Sequence, residues 1–181
     1  MKMSGTLCVS ALAIALLAGC GKPVPTVDIW TAAGTGNTKE LERHLAARTD
    51  LNVKEPSGGG TPLMRAAFAG HVEAAALLIK SGAQVDAQNN EGSTALLMAA
   101  FFGHPEMVKL LLEKGADVKL KNNKGEAALD TVAGAWSPQL EGVYRFIGGL
   151  LKVQLDLERI KSARPQIAAL LREHGGETSV K

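Results

Sequence analysis

Apolar and polar residues recur along the middle of the chain with the period of short amphipathic helices. Leucines lie on one side of the segments at about 72–80 and 106–114, as expected for helices that bury one face. Each segment is followed by a glycine, which marks a helix end, and then by Val85 or Val118, which we expect in extended chain. The pattern therefore predicts helices joined by tight turns and extended hairpin loops.

This pattern occurs twice at a fixed spacing, because the sequence at 61–67 matches the sequence at 94–100 after a shift of 33 residues. Further positions match at the same shift, namely Gly70-His71 with Gly103-His104, Glu73 with Glu106, Leu77-Leu78 with Leu110-Leu111, and Gly82-Ala83 with Gly115-Ala116. A period of this length indicates a repeat protein, in which each unit buries its apolar face against its neighbours.

Thr61 and Pro62 specify the start of the first helix in a repeat. A threonine hydroxyl at the N-cap accepts a hydrogen bond from a free backbone N–H, and proline suits the first helical position. Ala66 and Ala67 keep this helix thin where it faces its neighbours. Gly70 favours the left-handed conformation that ends a helix, and a second helix is expected to follow at once.

The last repeat contains an insertion. Weaker copies of the pattern lie at 27–45 and 127–133, and the sequence at 165–171 resembles 105–111 at a shift of 60 residues. The last repeat therefore holds 27 additional residues, at about 136–162. Their apolar residues, compatible with an amphipathic helix, are Leu150, Leu151, Val153, Leu155, Leu157 and Ile160.

The insertion carries three of the chain's few aromatic residues, Trp136, Tyr144 and Phe146. One interpretation is a lid over the apolar face of the last repeat. The other is a projection that binds a specific partner, since binding residues concentrate on additions to a rigid scaffold. The two interpretations are compatible.

Residues 60–125 resemble two near-complete ankyrin repeats, through Gly-Ser-Thr-Ala-Leu at 92–96 and Gly-Ala-Asp-Val at 115–118. The resemblance implies an all-α solenoid of about four helix-turn-helix repeats with hairpin loops, the last repeat carrying the helical insertion. The repeats would span about 27–58, 59–91, 92–124 and 125–176. The family's histidine after Thr-Pro-Leu is missing, which predicts fewer hydrogen bonds between repeats; the residues in its place are Trp30, Met64, Leu97 and Asp130.

The resemblance also implies a protein-binding surface, because such proteins generally bind partners on a concave face made of hairpin tips and first helices. The residues that map to it are Ser57, Gly58, Asn90, Glu91, Ser93, Asn123, Lys124 and Glu126 at the tips, and Phe68, Phe101 and Phe102 on the first helices. Exposed aromatic residues are natural anchors for a partner. Alternatively, Phe68 and Phe101 pack between helices. Phe102 is expected to be the most exposed, so that Phe102→Ala would weaken binding with little loss of stability.

The first 19 residues resemble a lipoprotein signal peptide. Lys2 precedes a largely apolar run at 7–18, which has the length of a signal-peptide core and is too short to span a bilayer. The run ends in Leu-Ala-Gly-Cys at 17–20, which resembles a bacterial lipobox. We therefore expect cleavage before Cys20, lipidation of its thiol, and attachment to a membrane.

Residues 20–26 would form a short tether ahead of an ankyrin-repeat domain at 27–181. Gly21, in place of aspartate, implies sorting to the outer membrane of a Gram-negative host, facing the periplasm. Cys8 lies in the discarded peptide, so the mature chain would form no disulfide and would depend on packing for stability.

Charge and composition exclude several functions. The chain has 20 Lys and Arg against 18 Asp and Glu, far from the basic stripe that nucleic acid binding requires. His71 and His104 follow turn glycines, where the family has histidine for structural reasons, and His44 and His174 are isolated near helix ends. Ser-Gly-Gly-Gly at 57–60 lacks the Lys-Ser/Thr ending of a phosphate loop. We expect no enzyme activity, no cofactor, no metal and a monomeric protein.

The favoured function is a membrane-anchored periplasmic protein that binds an unidentified partner protein. Within this class, it could be an immunity protein against a toxin that acts in the periplasm or on membranes. It could also be an accessory factor for a periplasmic or stress-defence enzyme such as catalase. Outside this class, two hypotheses stay open: a passive structural component of the envelope, and an enzyme whose site is not evident in the sequence.

Overall fold

The computed structural model describes residues 24–178, and within them all regular structure is helical. The helices are α1 (Ile29–Gly34), α2 (Thr38–Ala46), α3 (Pro62–Ala69), α4 (Val72–Lys80), α5 (Ala95–Phe101), α6 (Pro105–Glu113), α7 (Asp130–Ala133), α8 (Pro138–Leu151) and α9 (Leu157–Glu173). The predicted all-α fold is confirmed. The predicted signal peptide and the lipidation of Cys20 lie outside the described residues.

The helices form two stacked rows. Each repeat contributes a pair that packs together, α1 with α2, α3 with α4, α5 with α6, and α7 with α9. The first helices α1, α3, α5 and α7 contact one another in sequence, and so do the second helices α2, α4, α6 and α9. The apolar core lies between the two rows, as expected for a solenoid of helix-turn-helix repeats.

The first helices begin and pack as their sequences predict. The side chain of Thr61 accepts a hydrogen bond from the backbone N–H of Met64 (3.4 Å), and that of Thr94 from Leu97 (3.2 Å). The alanines that face neighbouring helices, including Ala66 and Ala67, are fully buried. Small side chains at these positions let successive repeats approach closely.

Turn glycines allow the second helices to contact the preceding repeat. Gly70 ends α3 with φ +77°, and a Cβ added to it would lie 2.5 Å from Nδ1 of His104. Gly103 has φ +71°, and a Cβ there would lie 2.8 Å from Cα of Ile160. Ile160 thus occupies, against the third repeat, the place that His104 occupies against the second. Any side chain at either glycine would clash and would be strained.

The insertion differs from the single amphipathic helix that its sequence suggested. Lys152 adopts the left-handed conformation (φ +54°) and ends α8, and α9 begins five residues later at Leu157. The six apolar residues expected on one helix are therefore divided between two helices and a loop. The segment at 165–171 lies within α9, which starts about two turns earlier than the repeat pattern indicates.

The prediction of extended chain at Val85 and Val118 is wrong. Val85 and Val118 lie in turns instead of extended chain, since Ala87 donates to the carbonyl of Gln84 (3.5 Å) and Leu120 to that of Asp117 (3.4 Å). Trp30, which stands where the family has histidine, still provides a hydrogen-bonding group. Its indole N–H lies 3.2 Å from the carbonyl of Val53 and 3.1 Å from that of Gly60, and so ties the first helix to the first hairpin.

Candidate protein-binding surface

The three hairpin tips form a continuous edge. The backbone N–H of Asn90 donates to the carbonyl of Gly58 (3.1 Å), and that of Asn123 donates to Glu91 (2.9 Å). The side-chain amide of Asn123 also donates to the carbonyl of Asn90 (3.0 Å). Each tip is therefore positioned by the next one, which gives the edge a fixed shape.

Most of the predicted tip residues lie on the surface of this edge. Ser57, Asn90, Glu91, Asn123, Lys124 and Glu126 are exposed, and Gly58 is half-buried. The predicted exposure of Ser93 at a hairpin tip is wrong, because Ser93 is buried in the hairpin stem. There its N–H donates to Oδ1 of Asn89 (2.8 Å) and its carbonyl accepts from the Asn89 N–H (3.1 Å).

An open groove of about 600 Å³ lies along the first two repeats. We call it the N-terminal groove; its lining residues are Asp28, Trp30, Thr31, Gly34, Thr35, Glu55, Pro56, Arg65, Phe68 and Ala69. Arg65 lines it and donates to both carboxylate oxygens of Glu55 at 2.5 Å. The groove thus combines an aromatic wall at Phe68 with an ion pair and threonine hydroxyls.

The insertion covers the corresponding surface of the third repeat. The Tyr144 ring of α8 stacks on Phe101 with centroids 4.6 Å apart, and its hydroxyl donates to the Phe101 carbonyl (2.7 Å). Trp136 stacks on the other side of Tyr144 at 5.4 Å. Burial raises the pKa of the Tyr144 phenol, whose side chain is fully enclosed. The surface at Phe101 is therefore covered by the protein's own chain.

Arg164 of α9 fixes the base of the insertion. Its guanidinium donates to the carbonyls of Thr131 (2.7 Å) and Gly134 (3.0 Å) and lies 5.9 Å from the centroid of the Trp136 ring. The charge is buried, yet it meets backbone acceptors and an aromatic face. The lid was expected over the last repeat alone. The insertion lies over the third repeat as well as the fourth, so the predicted position of the lid is corrected.

The three phenylalanines form one cluster. Phe102 lies 4.4 Å from Phe68 and 5.0 Å from Phe101, ring centroid to ring centroid, with edge-to-face geometry. Phe102 is only 5% exposed, so the expectation that it is the most exposed of the three is wrong. Phe102 is the C-cap residue at which α5 ends, and its ring lies between those of Phe68 and Phe101. Phe68 is half-buried and is the phenylalanine that lines the N-terminal groove.

A second, smaller groove of about 320 Å³ separates the second repeat from the insertion. Arg159 of α9 lies in it and donates to the carbonyls of Gly103 (2.5 Å) and Phe102 (3.2 Å). His104 lies beside it, with Nε2 2.9 Å from the carbonyl of Phe68 and Nδ1 3.4 Å from Arg159. This geometry places the proton on Nε2, so that Nδ1 accepts from Arg159.

The histidines have structural contacts. Desolvation lowers the pKa of His104, and the positive charge of Arg159 lowers it further, against the raising effect of the Phe68 carbonyl. His44 is buried, with Nε2 2.8 Å from the carbonyl of Val27 and Nδ1 3.1 Å from Thr49. Within residues 24–178, no group of three or more His, Cys, Asp and Glu side chains is placed to hold a metal ion.

Thr35 and the ion pair of Arg65 and Glu55 were not predicted as site residues. Thr35 lies 33 positions before Phe68, as Phe68 lies before Phe101, so the repeat register carried back to the first helix would have identified it. The ion pair gave no such signal, because a hairpin loop brings its two members together. Both features lie in the N-terminal groove.

Comparison with known families agrees with this architecture. A family model described as ankyrin repeats (3 copies) matches residues 29–122, which is more than half of the chain. The chain belongs to the ankyrin-repeat family. Proteins of this family are typically non-enzymatic protein-binding scaffolds, and the presence of the repeats indicates a protein-interaction module. None of the curated proteins compared with the chain matches it.

Proposed function

We propose that this protein is a lipid-anchored periplasmic lipoprotein that binds a partner protein through its N-terminal groove and the neighbouring hairpin tips. The observation that carries the binding proposal is the contrast between two equivalent surfaces. Tyr144 occupies the surface of the third repeat, whereas no described residue fills the groove between Thr35 and Phe68. A partner that uses the concave face therefore meets the first and second repeats.

The chemistry of the groove favours a partner segment with both apolar and polar groups. Phe68 offers an aromatic surface, and aromatic residues are enriched among those that dominate binding energy. Thr31 and Thr35 are exposed and carry hydroxyls, and Arg65 and Glu55 offer both charges. The Arg65 guanidinium and the Glu55 carboxylate lie 2.5 Å apart, so a partner meets both charges at one place in the groove.

The proposal of a membrane anchor is supported by the lipobox-like sequence that ends in Cys20. Shortly after Cys20, the chain is attached to the repeat domain at Thr26. The N–H and the hydroxyl of Thr26 donate to the Glu40 carboxylate at 2.9 and 2.8 Å. The six residues from 21 to 26 span at most about 20 Å. The partner would therefore be a protein that comes close to the membrane.

Palmitate labelling tests the anchor, and affinity capture from the native membranes tests the groove. For the anchor, the wild type and Cys20→Ser are both labelled with palmitate. The wild type should take up the label and Cys20→Ser should not. The groove is tested by Ala69→Arg, which places a long charged side chain in it, against Ala47→Arg, which makes the same change at an exposed position after α2. We expect a co-purifying protein that is lost with Ala69→Arg and retained with Ala47→Arg. Equal recovery with both variants would refute binding at the groove.

A further inference from the structure

Helix α8 exposes a row of large apolar side chains. Phe146 is 71% exposed and Leu150 is 69% exposed, and Val143, Leu151 and the following Val153 are also exposed. Elsewhere in residues 24–178, the exposed large apolar side chains are Val24 and Val27. A contiguous group of exposed apolar side chains is a candidate binding surface.

The row follows from the helical spacing. Residues 143, 146, 147 and 150 are three or four positions apart, so they lie on one side of α8. Tyr144 and Gly148 form the buried side that faces the protein. Glu141 and Arg145 pair with each other at 2.6 Å on the side opposite the row. We call the row at 143, 146, 147, 150 and 151 the apolar face of α8.

The size of this face disfavours a second copy of the chain as its occupant. A helix of 14 residues is about 21 Å long and about 10 Å across, which gives a footprint of about 200 Å². Stable dimers bury about 800 Å² on each partner. A face this small can hold only an occupant that is present at very high local concentration.

The membrane to which the protein would be anchored is such an occupant. Cys20 is six residues from Thr26, which is fixed to the protein body, so the body stays within about 20 Å of the lipid headgroups. Neighbouring helices pack 8–10 Å apart, so the third repeat, where α8 docks, is about 20 Å from the first. The bilayer is therefore within reach of both the tether and α8.

We propose that α8 lies on the membrane surface, with its apolar face inserted at the boundary between headgroups and acyl chains. Interfacial helices combine an apolar stripe with a polar opposite side, as α8 does. At about 21 Å, α8 is shorter than the roughly 30 Å hydrocarbon core, so it lies along the bilayer. In the described part of the chain, no helix is both long and apolar enough to cross a membrane. The acyl chains would hold the protein, and α8 would fix its orientation.

Vesicle binding of the unacylated protein tests the proposal. The chain from residue 20 to 181 with Cys20→Ser is mixed with vesicles of phosphatidylethanolamine and phosphatidylglycerol, and the bound fraction is measured by sedimentation. We expect Phe146→Ser with Leu150→Ser to lower the partition coefficient at least about tenfold, because two large apolar side chains no longer enter the lipid. The control, Val24→Ser with Val27→Ser, removes two exposed apolar side chains that lie far from α8 in the sequence and should bind as the wild type does.

Two results would overturn the proposal. One is equal vesicle binding by the wild type and the α8 variant, or binding by neither at millimolar lipid. The other is a dimer in analytical ultracentrifugation that the α8 variant converts to monomer, which would assign the face to a second copy. The α8 positions are exposed, so the thermal midpoint should be unchanged and verifies folding. The proposal rests on the proposed anchor, but the protein in this assay carries no acyl chains on residue 20. Failure of vesicle binding is therefore separate from failure of palmitate labelling or of groove binding.

Discussion

Phe102 contributes to stability, because its ring is enclosed by Phe68 and Phe101. We expect Phe102→Ala to lower the free energy of unfolding by about 3 kcal/mol, since it leaves a cavity in a packed cluster. Phe146→Ala is the matched control, because the same change at an exposed ring should cost less than about 0.5 kcal/mol. Urea unfolding of both variants measures the difference. Similar midpoints for the two would show that the Phe102 ring is not packed.

His104 should make stability dependent on pH. Its pKa is lowered in the folded protein by desolvation first, and protonation would also oppose Arg159 and displace its hydrogen bond to Nδ1. The neutral form is favoured on folding, so this contribution is present above the ordinary pKa of 6.5 and is lost as the pH falls toward the lower folded value.

We expect the wild type to lose more free energy of unfolding than His104→Gln between about pH 7.5 and pH 5. Glutamine can donate to the Phe68 carbonyl but does not titrate in this range, and all other titrating groups are shared. Unfolding curves at several pH values give the comparison. The same loss in both proteins would show that His104 is not the group responsible.

At the scale of elements, Tyr144 is the contact that holds α8 over the third repeat. Tyr144→Ala removes the stack on Phe101 and the hydrogen bond to its carbonyl, and we expect it to destabilise the protein by about 3 kcal/mol. Amide exchange within α8 should rise, whereas α3 and α4 should keep their protection. Val143→Ala, on the exposed side of the same helix, should change neither quantity. Unchanged exchange in Tyr144→Ala would show that other contacts hold α8.

The repeats were predictable because local rules determine them. Thr61 and Thr94 as N-caps, the buried alanine pairs and the turn glycines are short-range signals that recur at a fixed period. The insertion was not predictable in detail, because its break is a left-handed backbone at Lys152 and its place depends on the contact of Tyr144 with Phe101, 43 positions earlier. The same contact explains why the phenylalanines were harder to assign than the hairpin tips.

At the scale of the whole molecule, the insertion divides the concave side into two parts with different roles. The third repeat serves as the docking site for the protein's own α8, and the first two repeats keep an open groove. Phe68 lies at the boundary, since it lines both grooves. With α8 on the membrane as proposed, the N-terminal groove would be held near the bilayer, where a membrane protein or a membrane-acting protein could enter it.

Site-specific photo-crosslinking in living cells tests whether a partner protein binds in the N-terminal groove. A photoreactive amino acid replaces Thr35 or Ala69 in the N-terminal groove, and Lys39 or Ala47 on the second-helix side provides the control. We predict that Thr35 and Ala69 capture the same partner protein and that neither control position does. Crosslinks to one protein from the control positions alone, with none from the groove, would contradict binding in the groove and would place the binding surface on the other side of the solenoid.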